Sequence, residues 1–141
     1  MNIFGGWFYQ GYFGFFHEIK LVNKKILIID DMLEIVNVVS TFLRLEHYQI
    51  ISATNGKDGI RLNELENPDL IILDLFMPEM DGTETLKQIR QTDSKVKVII
   101  LSGYINDEVK KGTSNLGINQ YLGKPFDGNE LLRVVIEVIG S

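Results

Sequence analysis

From Lys24 onward, short apolar runs alternate with stretches in which apolar residues recur at helical spacing. Residues 26–29 form an uninterrupted apolar run, and Met32, Ile35, Val36, Val39, Phe42 and Leu43 follow at a period that predicts a helix. A second strand is expected over 49–53, a turn at Asn55-Gly56, and a weak helix over 57–65 with Ile60 and Leu65 inward, stopped by Asn67-Pro68. The run LIIL at 70–73 shows almost no alternation, the mark of a strand covered on both faces. It delivers Asp74 into a turn carrying Pro78 and Gly82. A helix over about 83–91, with Leu86 and Ile89 inward, and a fourth buried strand over 96–101 come next. Asn106 or Asp107 then caps a helix to about Leu116, weakened by the poor helix formers Gly112, Thr113, Ser114 and Asn115. A short strand at 120–122 and a helix over about 129–139, with Leu131, Leu132, Val135 and Ile139 inward, complete the pattern.

Five strand–helix units in alternation predict an α/β fold, a doubly wound parallel sheet with helices on both faces and right-handed crossovers. In such sheets ligands bind beyond the carboxyl ends of the strands. The chain's 141 residues suffice for one domain, and its 45% hydrophobic and 23% charged residues are those of an ordinary globule. With a net charge of −5 and no basic cluster, direct nucleic-acid binding is not expected. Absence of cysteine excludes disulfides and thiolate chemistry and fits a reducing compartment.

The start of the chain follows a different rule. Residues 1–16 hold eight aromatic residues among glycines and no charge, too short and too broken for a membrane span and lacking the cationic start of a secretory signal. Residues 1–23 are therefore expected to be an extension, disordered or not natively translated, with Leu21 or Val22 as an alternative start; an interfacial aromatic tag is the remaining reading. Residues 24–141 form the domain.

The strand ends gather Asp30 and Asp31, Asp74, Ser102 and Lys124 at one rim. Three carboxylates so placed repel one another, so the site must hold either protons or a cation, and oxygen-only ligands at a shallow rim suit Mg²⁺. With its charge balanced, Asp74 is a nucleophile. The metal and Lys124 would neutralise an incoming phosphoryl group, and the Ser102 hydroxyl would bond to one of its oxygens. Each residue also has a plainer role. Asp31-Met32-Leu33-Glu34 fits a capping box, Ser102 a turn, and Lys124 a solvated surface position; their coincidence at one rim favours the chemical reading.

The blocks ILIIDD ending at Asp31, LIILDLFMPEMDG around Asp74, VIILSG ending at Gly103 and YLGKPF from Tyr121 to Phe126 together resemble the receiver domain of two-component response regulators, over about 24–140. The resemblance implies a flavodoxin-like sheet with strand order 2-1-3-4-5. It also implies a cytoplasmic single-domain regulator that accepts a phosphoryl group on Asp74 from a histidine kinase or phosphotransfer protein. Asp31 would bind Mg²⁺ directly, Asp30 through water, and the Phe76 carbonyl would supply a further ligand. Ser102 would move toward the phosphoryl group, Lys124 would pair with it, Tyr121 would turn inward as an aromatic switch, and the Lys124-Pro125 bond would be cis. The downstream protein would bind the face of the fourth helix, fifth strand and fifth helix. The chain would then be no enzyme beyond its own phosphorylation and dephosphorylation.

Phe76 and Tyr104, two residues beyond Asp74 and Ser102, are bulky and are expected to slow hydrolysis of the acyl phosphate, and Gly117-Ile118 stands where the family often has Gly-Ala. A flavodoxin-type cofactor domain is disfavoured because Asp30-Asp31 would repel a phosphate where that fold must receive one. A phosphatase with paired aspartates would need an acid where Phe76 stands. The alternative that remains open is a receiver-like binding scaffold that works without phosphate.

Overall fold

The computed structural model describes residues 23–140. Apart from Asn23, the expected N-terminal extension lies outside the described residues. Five strands, β1 (Lys25–Ile29), β2 (Gln49–Ala53), β3 (Leu70–Leu73), β4 (Lys97–Ser102) and β5 (Gln120–Gly123), alternate with α1 (Leu33–Leu45), α2 (Gly56–Glu66), α3 (Gly82–Thr92), α4 (Asp107–Thr113) and α5 (Gly128–Ile139). All pairings are parallel and the order is β2-β1-β3-β4-β5. This is the flavodoxin-like arrangement with five helices.

Side-chain alternation along the strands divides the core into two layers. Ile26, Ile28, Leu70, Ile72, Ile99 and Leu101 pack against Val36, Val39 and Leu43 of α1 and Leu131, Val134 and Val135 of α5. On the other face, Leu27, Ile29, Ile71, Leu73, Val98 and Ile100 meet Leu86 and Ile89 of α3, with Ile60 of α2 and Val109 of α4 packed alongside. All four residues of β3 are buried, as a central strand covered on both sides requires.

Four helices open on a side-chain cap. Asn55, Asp81, Asn106 and Asp127 accept from the backbone N–H of Asp58, Glu84, Val109 and Glu130. Asn106, rather than Asp107, thus caps α4. The capping box, the plainer reading of Asp31, does not form, because α1 starts at Leu33 with Met32 in the cap position and no side-chain cap bond.

Several core expectations change. Leu65 is 67% exposed, because α2 instead turns Gly56, Gly59 and Asn63 inward. A β-carbon on Gly59 would lie 2.9 Å from Ile29 Cγ1, so small residues let this helix approach the sheet where a large apolar one could not. Phe42 is half-exposed, its ring lying over Gly128 at the start of α5 rather than in the core. Met32 is exposed at the helix entrance. Helix α4 ends at Thr113, short of Leu116, although Leu116 is itself buried.

The loop after β3 is held by the start of α3. Gly82 N–H donates to Leu75 O at 2.8 Å. A β-carbon at Gly82 would run into the Asp74 carbonyl oxygen and come within 2.7 Å of Leu75 Cα, both of them backbone and unable to swing aside. Gly82→Ala should therefore lower stability by about 1–3 kcal/mol or more. Urea unfolding measures this, and an unchanged midpoint would show that the loop can yield.

Candidate acidic site at the carboxyl rim

Each strand end brings its residue to the same place, because parallel strands in register stop at one edge. Asp30 follows β1 and is 2% exposed, Asp74 follows β3 and is 5% exposed, and Ser102 closes β4 and is fully buried. Asp31 is exposed beside them. One carboxylate oxygen from each of Asp30, Asp31 and Asp74 lies within 4.8 Å of the others. Lys124, just beyond β5, reaches into the cluster with its ammonium 2.8 Å from Asp30 Oδ2 and 3.6 Å from Asp74 Oδ2. The peptide bond after it, Lys124-Pro125, is cis.

Backbone donors hold the two buried acids in position. Met32 N–H donates to Asp30 Oδ1 at 2.9 Å, and Phe76 N–H donates to Asp74 Oδ1 at 3.3 Å. The same turn throws the Phe76 side chain outward, where it meets the Tyr104 ring edge-on with centroids 6.1 Å apart. Both rings are more than half exposed.

Burial, and then the charge of Asp30, push the Asp74 carboxyl above its ordinary range; Lys124 and the Phe76 N–H partly offset them. The Ser102 hydroxyl lies near enough to act in the same direction as Lys124, yet it makes no hydrogen bond of acceptable geometry among the described residues. A buried hydroxyl with no partner of its own beside a carboxylate is an exception that calls for an explanation.

Tyr121 does not enter this cluster. Half-buried on β5, it joins its hydroxyl to Thr113 Oγ1 of α4 at 2.6 Å, and Lys110 Nζ stands 5.6 Å from its ring centroid. Two features escaped sequence reasoning. Lys124 binds Asp30 more closely than Asp74, and Thr113, which reads only as a weak helix former, is buried against the tyrosine. Neither has a local signal, since each depends on which strand ends become neighbours. A cavity of about 770 Å³ lies at the opposite rim, lined by residues that include Lys24, Asn63, Asp93, Lys97 and Val138, and none of Asp30, Asp31 and Asp74 lines it.

The family model described as the response regulator receiver domain matches residues 26–136. The alkaline phosphatase synthesis transcriptional regulatory protein PhoP of Bacillus subtilis is 36% identical over 110 residues, 78% of this chain but only 46% of that protein. Sporulation initiation phosphotransferase F of the same organism is 35% identical over 111 residues, 79% of this chain and 90% of its own. Among solved structures, the receiver domain of a Pseudomonas aeruginosa sensor histidine kinase, with a magnesium ion coordinated in its active-site cleft, superposes with a TM-score of 0.77 at 28% identity, covering 85% of this chain and 100% of that one.

The raised Asp74 carboxyl has a thermodynamic consequence. A carboxyl that binds its proton more tightly folded than unfolded costs stability as pH rises above its ordinary 3.8 and through its folded value. Asp74→Asn, uncharged at every pH, should therefore melt above the wild type at about pH 7, and the gap should close as pH falls toward that ordinary value. Thermal melts of both proteins across this range test the sign, and a lower melting point for the variant at neutral pH would contradict it. An acidic cluster that strains against its own charge at the end of the central strand, in a chain matched by the receiver model from residue 26 to residue 136, leads to one assignment: the chain belongs to the response regulator receiver domain family of two-component signalling.

Proposed function

We propose that this receiver takes a phosphoryl group on Asp74 from a histidine kinase or phosphotransfer protein, in a Mg²⁺-dependent reaction, and passes the change on by protein contact. The observation that carries this reading is the cluster itself. Three carboxylates come within 4.8 Å, one of them is pushed toward protonation by burial and by its neighbour, and a lysine sits between the two buried ones. An all-oxygen donor set that repels itself fits a hard divalent cation, which Asp30, Asp31, Asp74 and the Phe76 carbonyl would hold. When bound, Mg²⁺ supplies charge neutralisation and Lewis acidity toward phosphoryl oxygens.

An oxygen of Asp74 attacks phosphorus, the bond from phosphorus to the donor's imidazole nitrogen breaks, and the imidazole leaves with the electron pair and takes up a proton. Lys124, already 3.6 Å from Asp74, stabilises the charge gathering on the phosphoryl oxygens, and the Ser102 hydroxyl gains the acceptor it lacks. No separate substrate is turned over, so the protein acts chemically only on itself. The α4/β5/α5 face is the output surface on this reading, supported by the Tyr121–Thr113 contact that ties two of its elements together.

Incubation with acetyl phosphate and Mg²⁺ should add the mass of one phosphoryl unit to the intact protein, and Asp74→Asn should abolish the gain. No gain in the wild type would favour the phosphate-independent scaffold. The Phe76–Tyr104 pair crowds the path by which water must reach the acyl phosphate. Phe76→Asn should speed hydrolysis of the phosphorylated protein on the order of ten-fold, about 1.4 kcal/mol of barrier. An unchanged decay rate would refute the shielding.

A further inference from the structure

We infer that Thr113 is a positioning residue whose buried hydroxyl holds Tyr121 against α4 and thereby sets how strongly the site must be loaded before that tyrosine can turn inward. The inference rests on the proposed phosphoryl-driven switch for its consequence, but on the geometry alone for the restraint.

Thr113 is 2% exposed, and its Oγ1 lies 2.9 Å from Val109 O, the backbone carbonyl one turn earlier, as well as 2.6 Å from the Tyr121 hydroxyl. A threonine hydroxyl has one proton. With that proton given to Val109 O, the short contact to Tyr121 must be donated by the phenol. The result is a directed chain, Tyr121 O–H to Thr113 Oγ1 to Val109 O, in which each bond polarises the next. Lys110 over the ring face adds a cation–π contact from the same helix.

The restraint bears on the acidic site through the sheet. Register pairs Tyr121 with Ile100 and Gly123 with Ser102. By strand alternation, Ile100, Ser102 and Tyr121 share the face covered by α3 and α4. A rotation of Tyr121 along that face toward Ser102 must break the bond to Thr113 and leave a buried hydroxyl oxygen without its donor. Following the ring is hindered for α4, because the loop after it is anchored. Arg90 of α3 donates through Nε to Leu116 O at 2.8 Å and through Nη2 to Gly117 O at 2.9 Å. The tyrosine therefore leaves Thr113 rather than carrying it along.

Binding of beryllofluoride with Mg²⁺ to the full chain, together with NMR side-chain couplings of Tyr121, tests this. Thr113→Val should bind the analogue roughly two- to ten-fold more tightly than wild type, the equivalent of one hydrogen bond removed from the resting state. Thr113→Ser, which keeps the hydroxyl, should restore wild-type binding. Tyr121→Phe should match Thr113→Val, and the double variant should gain nothing further, because both remove one interaction. Without any analogue, the couplings should show one Tyr121 rotamer in the wild type and a mixture in Thr113→Val. Failure of the wild type to bind beryllofluoride would sink the phosphoryl reading and leave the rotamer result to decide on the restraint. Unchanged rotamers in Thr113→Val would overturn the proposal, as would equal or weaker binding or additive effects of the two substitutions. Should Thr113→Val fail to fold, Tyr121→Phe reads both quantities alone.

Discussion

Asp30 and Asp74 are two like charges with almost no water around them, and much of the local architecture serves to keep them together. In bulk water their repulsion would be slight, but in a partly dry pocket it grows severalfold. The fold answers with three kinds of support. Lys124 reaches from β5 to both acids, the backbone N–H groups of Met32 and Phe76 each bond one of them, and burial moves Asp74 toward its neutral form. The strain is local and sits at the end of the most buried strand, where the surrounding core is least able to relax. A pocket so arranged is sensitive to any change in its charge.

Ser102 and Tyr121 stand in opposite hydrogen-bonding states. The serine hydroxyl is buried without a partner, and the tyrosine hydroxyl is fully engaged with α4. One group has an unmet bond and the other has one to lose. The two lie on the same sheet face, so on the proposed reading a new anion at Asp74 would alter the balance between two alternative bond sets rather than push on a continuous medium. Helix α4, with 7 residues the shortest of the five, is followed by a loop that Arg90 holds at Leu116 and Gly117. That confines the adjustable contact to the Thr113–Tyr121 pair.

Access to the site is a separate matter from its charge. Phe76 and Tyr104 stand more than half exposed with their rings in edge-on contact. Their positions follow from the turns after β3 and β4, the first of which aims Asp74 while the second follows Ser102. The acidic residue and the exposed rings are thus neighbours in the same loops, so that one can vary while the other stays. This is the usual division between a rigid strand end and the loop that leaves it.

The order of the elements, the parallel sheet and the identity of the rim residues were legible in the chain itself. Unbroken apolar runs such as LIIL have no stable place except between two helical layers, and a carboxylate directly after such a run must stand at the edge. Small-residue packing was not legible. Gly56, Gly59 and Asn63 line the inner side of α2 while Leu65 faces out, because close approach to the sheet decided the helix's rotation and hydrophobicity did not. Nor could the chain by itself say that Lys124 would lie nearer Asp30 than Asp74, or that Thr113 would meet Tyr121. Periodicity is a property of adjacent residues and survives in one dimension. A bond between groups 94 residues apart depends on the register and twist that the assembled sheet imposes, and only the folded chain contains those.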